Sequence, residues 1–388
     1  MKVIFTKKDL LTVLDDMNRV VPTHVTSPVM RTVRIEATND DSVDFLAVTG
    51  EVTLRHKLID VGFGDNPADI IEPGVVVIYA KEIREIVKRL SGKQVSFAYS
   101  SEGMLIVKSE RSKFELQTFD SKTFKVPSFK DTESTCGADL NAKDLKRLIK
   151  QSTYACSTSS DRPALQGVQL SIGEGLSAVS SDRFRLAYSH VDTDVEMGTR
   201  SSVIPASWLD HLAAMLPNDD DEIVNLVLAD NHCTASWNDG ETSLRIQAID
   251  AKFPDLTRIW PVGFAAQYTV NRAVLIEALE RVLIISHGTE NQVAQFEAGD
   301  AQLKLRSQDP VVGKVEDSVE AIVEGEAFRL GFNVKFLLEA IKSLDGETIK
   351  VKPTGPATTP IQVEADNPNQ KAIVLPVRIT SAISNQTA

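Results

Sequence analysis

Cysteine is scarce in this chain, and what there is does not pair. Cys136, Cys156 and Cys233 are odd in number, far apart and free of any CxxC spacing. That excludes a disulfide frame and a thiolate zinc site, and it fits a reducing compartment, so a cytoplasmic address is expected. No apolar run approaches the roughly 18–20 residues that a membrane-spanning helix needs. The opening MKVIFTKKDLLTVL meets Asp9 and Asp15 too early for a secretory signal and leads to no small-residue cleavage site. Catalytic signatures are equally thin: no glycine-rich phosphate loop, no HExxH, no GxSxG and no paired histidine ligands. His232 and Cys233 are neighbours in a strand-like run, where successive side chains point to opposite faces, so they cannot act as nucleophile and base. The chain reads as a non-enzyme without a cofactor. Its net charge of −12 disfavours nucleic acid at first sight.

What is present is a repeat. At 388 residues, with 42% hydrophobic and 25% charged residues, two or three ordinary domains are expected. Helical stripes recur in two sets. Leu10, Leu14 and Met17 form one stripe, matched by Leu145, Ile149 and Ser152 and again by Leu275, Leu279 and Val282. Ile83, Ile86, Val87 and Leu90 form the other, matched by Leu209, Leu212, Ala213 and Leu216 and by Leu337, Ala340, Ile341 and Leu344. Both sets return at about one-domain spacing. After each second helix comes a strand pair broken by turn-formers: VSFAYSSEGMLIVKS, VNLVLADNHCTASWN and IKVKPTGPATTPIQVEA. Polar or proline-containing links fall at 125–135 and 259–267. The expected architecture is α+β: three repeated domains, each with two helices on antiparallel sheet, spanning 1–130, 131–262 and 263–379. The final segment, 380–388, has the composition of a flexible tail.

The charge is unevenly spread. The six helical segments together carry +5, which leaves −17 for the rest of the chain, much of it in loops such as NDDDE (218–222) and TNDDSVD (38–44). Lys146, Arg147 and Lys150 are expected to project opposite the apolar stripe of their helix, as are Arg84, Lys88 and Arg89 on theirs. Helices kept neutral to basic on an acidic chain suit a polyanion held through its phosphates, without base readout.

One stretch stands apart. In VSSDRFRLAYSH (179–190), Asp182, Arg183 and Arg185 crowd a single aromatic, Phe184. It reads either as a solvated turn or as the polar rim of a pocket.

The landmarks MKVIFTKKDLLTVL, SERSKFELQTFD (109–120), STSSDRPALQGVQL (157–170), AVSSDRFRLA (178–187), AKFPDLTRIWP (251–261), FRLGFNVKFLLEAIKSL (328–344) and IVLPVRI (373–379) run in an order that resembles the bacterial β sliding clamp, the processivity subunit of DNA polymerase III. The resemblance covers essentially 1–379. It implies a head-to-tail homodimeric ring of three-domain subunits, with helices lining a central hole around duplex DNA. It also implies the polymerase III α subunit, the clamp loader and other polymerases or repair proteins as partners, docking through a short linear motif.

The implied motif pocket comprises Leu165, Ser181, Arg183, Phe184, Arg185, Leu186, Pro254, Arg258, Ile259, Thr359, Pro360, Ile373, Val374, Leu375, Pro376, Val377 and Arg378. Its apolar walls would bury one anchor side chain while arginine and backbone donors orient the peptide. DNA-facing positions would be His24, Arg84, Lys88, Lys146, Arg147, Lys150 and Arg162. The subunit interface would pair Phe114 and Leu116 with Ile284 and Ile285.

The chain departs from the family at several of these positions. Arg183 and Phe184 replace the usual glycine and histidine, Ser181 replaces threonine, and His24 stands where an arginine is common; Arg162 keeps its basic character. These departures leave open a divergent clamp, or a clamp-fold scaffold or decoy that does not support processive replication.

Overall fold

A computed structural model describes residues 1–22, 27–60, 66–125, 135–195, 198–286, 292–299, 301–355 and 359–377. Among these residues six α-helices appear in the order α1 (Lys7–Val20), α2 (Ala80–Arg89), α3 (Ala142–Thr153), α4 (Ala206–Met215), α5 (Arg272–Ser286) and α6 (Val334–Ser343). Most stripe positions are fully buried, including Leu10, Leu14 and Met17 on α1, Leu145, Ile149 and Ser152 on α3, and Leu337, Ala340 and Ile341 on α6. Ile86 and Ala213 are half-buried at the margins of theirs.

The chain forms two compact units. The first comprises Met1–Lys143 and His211–Ala248, the second Asp144–Asp210 and Ile249–Ala388. The expected central segment is therefore divided between them at three points, two of which fall within α3 and α4 and the third after the strand Thr242–Gln247.

In the first unit, a five-stranded antiparallel sheet runs in the order Ala68–Glu72, Lys2–Thr6, Gln94–Tyr99, Met104–Ser109, Ser112–Gln117. An eight-stranded sheet runs Cys136–Asn141, Ile223–Leu228, His232–Trp237, Thr242–Gln247, Val52–Ile59, Ser42–Val48, Thr32–Ala37, Gly74–Tyr79. α1 and α2 pack against each other, and Phe5 sits between Phe45 and Phe97 at centroid distances of 5.9 and 5.2 Å. Such tilted ring pairs add to area burial.

In the second unit, one twelve-stranded sheet runs Arg200–Pro205, Gly167–Ile172, Leu176–Ser181, Arg185–Val191, Gln370–Val374, Ile361–Glu364, Thr348–Pro353, Ala266–Asn271, Gly313–Gly325, Gln302–Asp309, Val293–Gly299, Arg329–Asn333. α5 and α6 cover its C-terminal half around Tyr268, Phe296 and Phe332. Asn333 caps α6 by accepting from the Phe336 amide at 3.0 Å, which fixes where Phe336 stands. The two sheets share a rule. The last strand of one repeat, Thr242–Gln247 or Gln370–Val374, pairs antiparallel with the fourth strand of the repeat before it, Val52–Ile59 or Arg185–Val191.

One half-buried carboxyl on α1 gives a pH prediction. Burial pushes Asp16 up to about 7, with Arg19 (3.7 Å away) offsetting the shift and Asp15 adding to it. A raised carboxyl pKa means that the folded state holds the proton more tightly than the unfolded one. Its cost therefore appears as pH rises from the usual carboxylate range through 7. Asp16→Asn is expected to stabilise the protein on the order of 1–3 kcal/mol at pH 8 and to have little effect near pH 4, read as Tm against pH.

Candidate peptide-binding site

The crowded stretch is the tip of a hairpin. Leu176–Ser181 and Arg185–Val191 pair antiparallel, with Ser181 opposite Leu186, and Asp182–Phe184 form the turn. Asp182 organises it: one carboxylate oxygen accepts from the Phe184 and Arg185 amides at 2.9 and 3.0 Å, and the other from Arg185 Nε at 2.9 Å. Ser181 Oγ donates to the Arg185 carbonyl at 2.8 Å and accepts from the Arg183 amide at 3.1 Å, so this hydroxyl is spent on the turn.

Arg183 takes φ +82°, the left-handed region that favours glycine. Arg183→Gly is therefore expected to stabilise the protein by about 0.5–1 kcal/mol, measured by denaturant unfolding.

Arg185 is buried, and it is the hub of the site rather than a free donor. It pairs with Asp182 and with Glu339 on α6, and its guanidinium lies 5.4 Å from the Tyr154 ring and 4.4 Å from the Phe336 ring. Phe184 is 55% exposed and stacks on Phe336 at 6.4 Å and 28°, and the Arg183 guanidinium lies 5.9 Å from the centre of the Phe184 ring. The chain after the last strand is tied to the same place. The Leu375 amide donates to the Phe184 carbonyl and the Val377 amide to the Gly331 carbonyl, each at 2.8 Å. Leu375, Pro376 and Val377 are left half-buried.

Beside this rim lies an apolar patch. Leu165, on the 3-10 turn Pro163–Gln166, packs with Val203 and Phe253, and the half-buried Val179, Ile249 and Leu256 join them. Pro254 is exposed next to Phe253. Arg258 and Ile259 project from the 3-10 turn Thr257–Ile259, with Ile259 41% exposed. Thr359 and Pro360 are half-buried, and the Pro360 carbonyl accepts from Thr354 Oγ1 at 2.9 Å. Leu186, Ile373 and Val374 lie in the core, behind the surface an incoming peptide would touch. Arg378 lies outside the described residues.

Chemically, the arrangement offers an apolar floor, a stack of exposed aromatic surface, half-buried strand-end backbone and peripheral guanidinium groups. Nothing in it activates a nucleophile. Elsewhere, burial pushes the Cys233 thiol up to about 12, and His232 is engaged by Asn231 at 2.7 Å and Arg245 at 3.0 Å.

Of the positions expected to face DNA, Lys88, Lys150 and Arg162 are exposed. Arg84 is held by Asp15 at 2.6 Å. Arg147 pairs with Asp144 at 2.8 Å and lies 3.9 Å from Asp345. Lys146 is half-buried, which lowers its pKa. His24 lies outside the described residues. At the expected interface positions, Phe114 is 39% exposed on Ser112–Gln117, the edge strand of the five-stranded sheet, and Leu116 beside it is half-buried. Ile284 is 67% exposed near the end of α5, and Ile285 is half-buried.

Models of the N-terminal, central and C-terminal domains of the DNA polymerase III beta subunit match residues 1–127, 139–255 and 257–378 in turn. The chain belongs to the DNA polymerase III beta subunit family. It is 29% identical over 386 residues to the beta sliding clamp of Bacillus subtilis, an alignment covering 97% of this chain and 100% of that one. The crystal structure of the Bacillus subtilis polymerase sliding clamp superimposes with a TM-score of 0.90 at 26% identity, over 98% of this chain and 99% of that one. A sliding clamp from Pseudomonas aeruginosa bound to griselimycin gives 0.89 at 25% identity, over 98% and 100%. The three-repeat α+β fold is thus a three-domain clamp fold. Such relatives favour a polymerase processivity clamp over a scaffold or decoy.

Phe336, Glu339 and Tyr154 went unread in the sequence because they meet Arg185 only through the fold. The one local sign was the FRLGFNVKF stretch, whose Asn333 sets the helix register.

Proposed function

We propose that the chain is a non-catalytic processivity factor: a homodimeric ring that encircles duplex DNA without sequence preference and tethers polymerases, the clamp loader and repair proteins through the site beside Leu165. The observation that carries the peptide reading is the apolar patch of Leu165, Val203 and Phe253 on the unit that also carries the Phe184–Phe336 stack and half-buried Leu375–Val377, with exposed Arg258 two residues beyond Leu256 of that patch. A motif with glutamine and a Leu–Phe pair would bury its apolar side chains on the patch and hydrogen-bond its backbone to the strand ends. Affinity of so short a peptide is modest, because ordering costs offset much of the burial; exchange among partners follows.

The ring reading draws support from strand pairing. Twice, the last strand of a repeat joins the fourth strand of its predecessor. The same rule would join Ser112–Gln117, an edge strand, to Gly313–Gly325. The first half of Gly313–Gly325 pairs on one side with Gln302–Asp309. A second copy supplying that pairing head to tail would cover Phe114 and Ile284 and close the ring. Among the described positions expected to face DNA, Lys88, Lys150 and Arg162 are then the exposed cations offered to phosphates, a smaller set than the helix composition implies.

The test is fluorescence anisotropy of a labelled Gln-Leu-x-Leu-Phe pentapeptide. Saturable micromolar binding is expected, weakened about tenfold or more by Arg258→Ala. An unchanged affinity in Arg258→Ala would sink the assignment of that rim.

A further inference from the structure

The first unit contains a second copy of the peptide-site architecture, matched residue by residue. In the second unit, Val179 and Val203 are the cross-strand neighbours of Gln169; in the first, Leu46 and Val77 are those of Arg34. The Ile249 amide donates to the Val203 carbonyl at 2.8 Å, and the Phe119 amide to the Val77 carbonyl at 2.9 Å. Leu165 sits on a proline-initiated 3-10 turn closed by its amide to the Arg162 carbonyl at 3.0 Å. Met30 sits on another, Pro28–Arg31, closed to the Ser27 carbonyl at 3.1 Å. Even the hairpin tips agree: Thr49 Oγ1 accepts from the Glu51 and Val52 amides where Asp182 accepts from those of Phe184 and Arg185. The cluster of Leu46, Val77 and Phe124, with half-buried Val29, Val48 and Phe119, therefore corresponds to that of Leu165, Val203 and Phe253, with half-buried Val179, Ile249 and Leu256; within it Leu46 stands where Val179 does, and Met30 beside it stands where Leu165 does.

The two copies differ at the surface. The tip residues Arg183 and Phe184 have Gly50 and Glu51 as counterparts, and among the described residues no stacked pair covers the patch. A cavity of about 420 Å³ opens there, lined by Val29, Met30, Val48 and Phe124 with Ser27 and Lys125 at its margin. Met30 is 39% exposed. Lys122 and Lys125 are exposed beside it, and among the described residues no carboxylate lines it; the nearby Asp120 caps its own turn through the Lys122 amide at 3.0 Å.

We infer that this cavity of the first unit is a second docking site, taking a short acidic peptide that inserts one leucine or phenylalanine side chain between Met30 and Phe124. The volume suits one such anchor, and the two lysines favour carboxylates on either side of it. The inference rests on the peptide reading of the Leu165 site for its chemistry, but not on any contact with that site. One subunit would then hold two peptides at once, one glutamine-bearing and one acidic, and a single partner carrying both would gain from their linkage.

The experiment uses the full chain with carbon-13 methyl-labelled methionine, titrated with acetyl-Glu-Leu-Phe-Asp. Among the six methionines, the Met30 signal is assigned by Met30→Leu. A saturable Met30 shift in the millimolar range is expected. It persists in Arg258→Ala and weakens about fivefold in Lys125→Glu, whose remaining methyl spectrum stays unchanged. A still Met30 signal overturns the inference, and so does a shift lost in Arg258→Ala. A Met30 shift that follows protein concentration without peptide would assign the cavity to a second copy, which also overturns it. Failure of the pentapeptide to bind the Leu165 site while Met30 responds would sink the functional reading alone.

Discussion

Arg185→Ala is expected to destabilise the second unit by about 2–4 kcal/mol and to abolish binding of the glutamine-motif peptide. The physical reason is desolvation. The guanidinium is buried with Asp182 at 2.9 Å and is paired with Glu339, so its removal leaves two carboxylates facing each other across a void. It also withdraws the cation from the faces of the Tyr154 and Phe336 rings. Phe184 stacks on Phe336, and its carbonyl holds the Leu375 amide, so the rim would lose its footing with the fold otherwise intact. Arg185→Lys keeps the charge but loses the forked donor set, and an intermediate effect is expected. Thermal unfolding and peptide anisotropy on the same samples check both statements. Wild-type affinity in Arg185→Ala would show that the rim is positioned by something else.

The second large effect is on assembly. Phe114→Asp and Ile284→Asp are each expected to convert the proposed dimer to monomer at micromolar concentration, a loss of at least about 4 kcal/mol, or roughly a thousandfold, once an unpaired carboxylate is buried at the contact. Sedimentation velocity reads the change directly. Both positions are exposed in the single chain, so the variants should keep the wild-type Tm of the monomeric fold when measured at high dilution. A dimer indifferent to both substitutions would move the interface elsewhere.

Much of the fold was legible because it rests on periodicity. The stripes through Leu10, Leu145 and Leu275 mark helices whose apolar faces must be buried, and each recurs with its partner helix and strand pair. The compact units were not legible. Continuous sheets that cross repeat boundaries, as Thr242–Gln247 does on Val52–Ile59, are long-range pairings with no local signature.

At the site, the oddness of Asp182–Arg185 was visible, but its physical meaning was not. Asp182 shapes the turn, Arg183 takes a left-handed backbone, and Arg185 turns inward to Glu339, which is 154 residues away in sequence. Composition likewise overstated the basic surface, because Arg84 and Arg147 are consumed by Asp15 and Asp144. A lysine or arginine on a helix face is counted the same in a sequence whether a carboxylate sits opposite or not.

The most direct measurement places the protein, with a clamp loader, on nicked circular DNA and passes the mixture through gel filtration before and after the circle is cut. A ring around the duplex predicts that the protein elutes with circular DNA even in moderate salt, and that it is released when one cut gives it an end to slide from. Release from intact circles by salt alone, or retention on cut DNA, would mean that the chain holds DNA by surface charge and does not encircle it.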